Sequence, residues 1–280
     1  MKYMLTVDEL LHMLETGKQV AIIDVRANLQ DKAKGRLLYE EHHIPNAVFF
    51  DLESDLSGDV QKHGGSHPLP EVDVFVKKLE KAGVSNDVPV LIYDDGAGMF
   101  AARCFWMIDA LGHSSVYVLE GGYKAWLESG YPVSNEEPEI EAGTFKAHDH
   151  FTGTVTMEEV KNHHSKDTVV IDSRSYERYL GQEEPLYKKA GHIPGAHNYF
   201  WADVMEGGKF KDEASLKEHF APLSDKKEIV VSCGSGVSAC PNIMALKSLG
   251  FNNVKLYPGS FSDWISYDDN ELETKDETER

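Results

Sequence analysis

The chain has 280 residues and carries 28 Lys and Arg against 47 Asp and Glu, a formal charge of −19. That length suits two domains at roughly 150 residues each, and the charge repels phosphate backbones and anionic membrane surfaces, which argues against nucleic acid or a membrane as partner. With 41% hydrophobic and 10% aromatic residues the chain is neither disordered nor collagen-like, and no apolar run approaches the roughly 18 residues of a spanning helix. The opening stretch MKYMLTVDELLHMLE sets acids inside its apolar pattern, unlike a secretory signal, and Cys104, Cys233 and Cys240 have no metal-ligand spacing. A reducing, cytoplasmic location is the expectation.

In chain order, VDELLHMLE shows the three-to-four-residue apolar recurrence of a helix, and AIID and NAVFF are strands. VDVFVKKLEKAG is a helix, VPVLIYD a strand, AARCFWMIDALG a helix and SVYVL a strand. The charged stretch SNEEPEIEAGTFKAHDH, residues 134–150, breaks the pattern as an interdomain linker does. Beyond it come the helix MEEVKNHH, the strands TVVID and AHNYF, the helix SLKEHFAPL, the strand EIVVS, the helix SACPNIMALKSLG and the strand NVKLY. The closing ELETKDETER is polar and expected to fray. Val- and Ile-rich strands alternating with helices predict an α/β fold in which each half is a mostly parallel sheet with helices on both faces. The predicted domains are 1–133 and 151–280.

One half echoes the other. AIIDVR recurs as VVIDSR, so Asp24 and Arg26 correspond to Asp172 and Arg174, and HHIPNA recurs as GHIPGA. Because these Asp and Arg residues stand in both halves, they are expected to form structural ion pairs rather than to do chemistry. Asp94 ends VLIYD where the second half has Cys233 after EIVVS. A carboxylate does not supply thiol chemistry, so the first domain is expected to be catalytically silent. Cys104, inside an apolar helix, and Cys240, two helical turns beyond Cys233, are expected to pack.

The chemistry concentrates in CGSGVSA, between a strand and a helix. Gly234 and Gly236 let the loop curl so that its amide hydrogens face the Cys233 sulfur, an anion cradle, and the following helix dipole is expected to favour the thiolate. The plain alternative is a small core cysteine at a strand end. Cysteine-dependent phosphatases need Arg six positions after the nucleophile to hold phosphoryl oxygens, and that position is Ala239.

The loop instead resembles that of two-domain rhodanese-type sulfurtransferases, and within them the CG(S/A)GVTA form of the 3-mercaptopyruvate branch, with Ser238 in place of Thr. The likeness covers nearly the whole chain: two domains, each with its D-x-R strand end and HIPGA-like block, and the loop cysteine in the second alone. Thiosulfate-preferring members usually carry basic residues at the two positions after the cysteine, where this chain has Gly234 and Ser235. The resemblance implies that Cys233 takes sulfur from a small-molecule donor as a persulfide and releases pyruvate. A thiol acceptor, such as thioredoxin or a low-molecular-weight thiol, then removes the sulfur without a cofactor or metal. The backbone of Gly234, Gly236, Val237, Ser238 and Ala239 would hold the persulfide charge.

It further implies that Ser235 relays a proton with a His, best matched by His67 in SHPLP, and with an acid, either Glu53 or Asp51 in FFDLE. A solvated loop histidine is the alternative for His67. Arg178 falls where the branch clamps the substrate carboxylate. A second basic group follows there in the family; this chain is shorter, and Lys188 would substitute as a point charge. Two other readings remain at this stage: a thiosulfate sulfurtransferase, and a non-catalytic persulfide carrier or sensor.

Overall fold

The structure, a computed structural model, describes residues 1–162 and 167–275. The end of the predicted MEEVKNHH helix and the last five residues lie outside them. Two compact units are present. The first comprises Met1–Gly58, Leu69–Thr152 and Gly207–Lys209; the second comprises Asp59–Pro68, Gly153–Glu206 and the chain from Phe210 on.

The first unit is built on five strands, β1 (Met4–Leu5), β2 (Ala21–Asp24), β3 (Ala47–Phe49), β4 (Val90–Tyr93) and β5 (Val116–Leu119). They lie in the order β1-β5-β4-β2-β3 and are parallel throughout, with Ile22 opposite both Leu91 and Ala47. All four residues of β2 and of β4 are buried, as a parallel sheet covered on both faces requires. Leu10, Ile22, Leu91, Leu119 and Trp126 form one continuous core.

The second unit contains β6 (Thr168–Asp172), β7 (His197–Asn198), β8 (Met205–Glu206), β9 (Lys209–Phe210, its first residue counted with the first unit), β10 (Glu228–Ser232) and β11 (Val254–Leu256). Its sheet runs β11-β10-β6-β7, also all parallel; β8 and β9 stand outside it. A single parallel bridge from Thr154 to Leu256 takes the place that β1 has beside β5. Val170, Ile193, Val230, Tyr257 and Trp264 make the second core. The repeat reaches into the helix caps. Thr6 accepts from Glu9 N, and Glu9 answers the Thr6 backbone; Thr156 and Glu159 do the same at the helix Met157–Lys161.

The paired Asp and Arg residues tie each strand end to the chain that follows it. Arg174 is fully buried; it donates to Asp172 Oδ2 at 2.6 Å and to Gly191 O at 2.8 Å. Arg26 repeats this with Asp24 Oδ2 at 2.7 Å and His42 O at 2.6 Å. Each guanidinium covers a ring, Tyr123 for Arg26 and Phe261 for Arg174.

Residues 134–150 hold no helix and run along the first unit, with Gly143 N bonded to Glu80 O and His148 N to Leu111 O. The tail does not fray over its described part. Glu273 pairs with His192 through both backbone groups, and its carboxylate accepts from Gly195 N at 3.0 Å. The backbone pairing holds a segment whose composition alone argued for freedom.

Asp94 shows what the first half builds in place of a sulfur site. Its buried carboxylate accepts from the backbone N–H of Gly96, Gly98, Phe100 and Ala101 at 2.8 to 3.2 Å. Burial pushes its pKa above the ordinary carboxylate range while these four amides pull it back down. It also serves as the cap of the helix Met99–Ala110, whose N-terminal Gly98 offers no side chain. Asp94→Ala leaves four buried donors without their acceptor, so urea or thermal unfolding should show a loss of about 2 to 4 kcal/mol. A loss below about 0.5 kcal/mol would mean that the loop satisfies its amides in another way.

Candidate active site

The strand β10 carries the chain into the second unit's interior and ends at Cys233, which is 1% exposed. The Cys233 Sγ accepts a hydrogen bond from Gly236 N at 3.1 Å. The Cys233 amide donates to Ser260 Oγ at 3.1 Å, and that hydroxyl donates onward to Tyr257 O at 2.8 Å. Gly236 has φ +78°, and a Cβ there would lie 2.3 Å from Pro258 O, so the curl of the loop requires glycine at this position.

The helix begins later than the sequence pattern predicts. It runs Cys240–Ser248 with Pro241 in its first turn, so residues 234–239 form an open loop rather than helical turns. Pro in the first helical turn is the signal that places this start correctly. The amide that reaches the sulfur, Gly236 N, therefore belongs to the loop and not to the end of a helix.

Ser235 is nearly buried, and its Oγ lies 2.8 Å from His67 Nδ1. The segment Asp59–Pro68 brings His67 there and is fixed along its length. Gly64 N donates to Asp263 Oδ1 at 2.7 Å, and Ser66 N donates to Ser262 Oγ at 3.0 Å. His63 stacks on Tyr267 and bonds Ser266 Oγ at 2.7 Å. Asp263 is itself held by the Tyr257 hydroxyl at 2.6 Å. The histidine that the resemblance pairs with Ser235 thus has Ser235 as a partner on the cysteine loop.

Arg178 lies in the short helix Tyr176–Tyr179, and its guanidinium forks onto Glu184. Nη2 reaches Oε1 at 2.8 Å and Nε reaches Oε2 at 3.2 Å. The same Glu184 accepts from Arg174 Nη1 at 3.2 Å, so one buried carboxylate joins the structural arginine to the candidate clamp. Arg178 Nη2 is 3.6 Å from where a Cβ on Gly234 would stand, which sets it against the cysteine loop. Lys188 is exposed. The residue of that segment that meets the loop is Tyr187, whose hydroxyl is 3.1 Å from the same point.

Val237 and Ala239 are buried in the loop and Ser238 is half-buried. Asp51 and Glu53 belong to the first unit. Asp51 Oδ1 accepts from Glu53 N and Ser54 N at 3.0 and 2.9 Å, closing its own turn, and the Glu53 carboxylate accepts from Lys32 Nζ at 2.7 Å. Cys240 is buried, and its Sγ donates to Gly236 O at 3.4 Å, bracing the loop. Cys104 is buried in the first core, where desolvation drives its thiol well above the ordinary range.

Three residues of this site were not singled out from sequence: Ser260, Glu184 and Tyr187. Ser260 had a signal. It aligns with Gly122 of the other half, both have positive φ, +52° and +58°, and a non-glycine residue in that conformation marks a place where the side chain has a task. Glu184 and Tyr187 have no counterpart in the first half and lie in an aperiodic stretch.

The model of the rhodanese-like domain matches residues 6–129 and 156–267. The "Probable 3-mercaptopyruvate sulfurtransferase" of Pseudomonas aeruginosa is 37% identical over 252 residues, covering 88% of this chain and 89% of that protein. The thiosulfate sulfurtransferase of Mus musculus is 34% identical over 262 residues, 89% of this chain and 86% of that one. Among solved structures, SseA from Escherichia coli, a 3-mercaptopyruvate sulfotransferase, superposes with a TM-score of 0.79 at 29% identity, over 93% of this chain and 99% of its own. The chain belongs to the rhodanese-like family, as a two-domain sulfurtransferase.

Proposed function

We propose that this sulfurtransferase takes sulfur from 3-mercaptopyruvate as a persulfide on Cys233 and passes it to a thiol acceptor, thioredoxin or a low-molecular-weight thiol. The observation that carries this reading is a sulfur in contact with the Gly236 amide beside an uncharged Gly234–Ser235 pair and the Ser235–His67 hydrogen bond. Thiosulfate would bring a sulfonate next to the sulfur that reacts. Positions 234 and 235 offer it no cation, whereas a thiol with a remote carboxylate needs none there.

In the first half-reaction the Cys233 thiolate attacks the donor's sulfur, a sulfur–sulfur bond forms, and the donor's carbon–sulfur bond breaks. Its electron pair passes to carbon as the enolate of pyruvate. The thiol proton of the donor leaves the sulfur and ends on that carbon, so no oxidant is needed. Ser235, bonded to His67, supplies the route for this proton. The persulfide charge then rests against the loop amides, which are already in place before sulfur arrives. In the second half-reaction an acceptor thiolate takes the outer sulfur and regenerates Cys233. Three cysteines, all reduced and buried, suit a cytoplasmic setting for this cycle.

Arg178 would bind the donor carboxylate from its place beside Gly234, with Glu184 orienting the fork. Because Glu184 keeps Arg174 as a partner when Arg178 is removed, the loss falls on donor binding.

The defining measurement is steady-state pyruvate release from 3-mercaptopyruvate with and without a small thiol, set beside turnover of thiosulfate. Sustained release that needs the thiol and exceeds thiosulfate turnover supports the reading. A single equivalent of pyruvate per Cys233 would mark a carrier, and faster thiosulfate turnover would reassign the donor. Cys233→Ser should abolish transfer while Cys104→Ser and Cys240→Ser keep most of it, and mass spectrometry after one turnover should find the added sulfur on the Cys233 peptide. Arg178→Ala should cost about 2 to 4 kcal/mol in kcat/KM with 3-mercaptopyruvate, roughly 30- to 1,000-fold, with Arg178→Lys in between and thiosulfate turnover much less affected. Equal losses with both donors would make Arg178 a structural charge.

A further inference from the structure

The loop after Arg178 turns back so that Tyr187, between exposed Leu186 and exposed Lys188, faces inward. Its ring packs at 6.0 Å from Phe261, whose amide bonds Cys233 O at 3.0 Å, and the Arg178 guanidinium lies over the Tyr187 ring, 5.7 Å from its centroid. The residue is thus anchored to the element that supports the nucleophile. The phenol oxygen and Arg178 Nη2 both approach Gly234, 3.1 and 3.6 Å from where a Cβ would stand, with the Tyr187 Cε2 at 3.3 Å. The phenol oxygen is also 3.2 Å from Ser66 Oγ, and the Ser235 hydroxyl is a second hydrogen-bond partner. Both hydroxyls can donate to the phenol oxygen, which has two lone pairs, and the phenol hydrogen then points to another acceptor.

We propose that Tyr187 is a specificity-determining residue of the donor site, its phenol donating a hydrogen bond to the carboxylate of a 3-mercapto-2-oxo acid beside Arg178. The inference rests on the reading that Cys233 takes sulfur from such a donor. A planar carboxylate has two oxygens and room for a second donor next to an arginine. A neutral phenol supplies that bond without adding a charge beside the sulfur that must carry a negative one. Burial pushes the Tyr187 hydroxyl above its ordinary range, so it keeps its proton through the neutral range. The ring also explains Gly234. The glycine φ is not in the left-handed region, so the backbone there would accept a side chain; the phenol and Arg178 are what restrict the space.

The test uses two donors, 3-mercaptopyruvate and mercaptoacetone, which keeps the thiol and the ketone but has a methyl group in place of the carboxylate. For the full-length protein, Tyr187→Phe should raise KM for 3-mercaptopyruvate about tenfold with kcat nearly unchanged, and should leave kcat/KM for mercaptoacetone within about twofold. A merely structural tyrosine would affect both donors together. Arg178→Ala is measured alongside. If wild type favours 3-mercaptopyruvate and Arg178→Ala removes that preference while Tyr187→Phe changes neither donor, or both equally, the proposal for Tyr187 is overturned and the donor assignment stands. A rise in KM in Lys188→Ala in place of Tyr187→Phe would overturn it as well. If wild type does not distinguish the two donors, the site reads no carboxylate and the donor assignment falls together with the proposal.

Discussion

A polar or anionic atom buried at the end of an interior parallel strand must be met by main-chain N–H groups, and both units are shaped around this requirement. In the first, β4 ends at Asp94, whose carboxylate collects four amides. In the second, β10 ends at Cys233, whose sulfur takes the Gly236 amide. The contact from the first turn of a later helix also repeats: Tyr123 N bonds Asp94 O, and Phe261 N bonds Cys233 O. The cradle is therefore a property of the fold, and the atom placed in it decides what the unit does. A carboxylate there accepts from four amides; the sulfur accepts from the Gly236 amide.

The same economy explains why the buried Asp–Arg pairs are duplicated. Asp172 and Arg174 fix the end of β6, the strand next to β10, and the arginine reaches Gly191 O and Glu184 from there. Glu184 in turn orients Arg178. A buried charge that must be neutralised locally is extended by one carboxylate to a partly exposed arginine against the cysteine loop. In the first unit the corresponding Arg26 donates to His42 O and Leu38 O, backbone carbonyls, and the next acid whose charge it shares is Asp95.

How much of this the sequence could tell follows from where each feature gets its geometry. The strands AIID, TVVID and EIVVS were legible because each is a near-continuous apolar run, and they appear at those residues as β2, β6 and β10. The helix Val7–Glu15 was legible to the residue because period and cap agree. Cys233 stood out because glycines and hydroxyls crowd a strand-to-helix junction. Its distance from the helix was misjudged, since Val237, Ser238 and Ala239 look the same in a buried loop and in a first turn. Ser66, His67 and Tyr187 come from stretches without periodicity, and nothing local fixes which way their side chains face. Their positions come from distant hydrogen bonds such as Gly64 to Asp263, which a pattern within a window of a dozen residues cannot contain.

The strained backbone at Ser260 completes the comparison between the halves. Its counterpart Gly122 adopts φ +58° at no steric cost, and a Cβ there would lie 2.4 Å from Asp94 O. Ser260 takes nearly the same φ, +52°, with a side chain, at a cost of order 1 to 3 kcal/mol. Its hydroxyl accepts the Cys233 amide and lies 4.0 Å from the sulfur. A glycine there would remove the strain and also the group that turns the Cys233 amide away from solvent. The first unit, whose strand end carries Asp94, keeps the relaxed residue; the second has the strained one at the point where the Cys233 backbone is held.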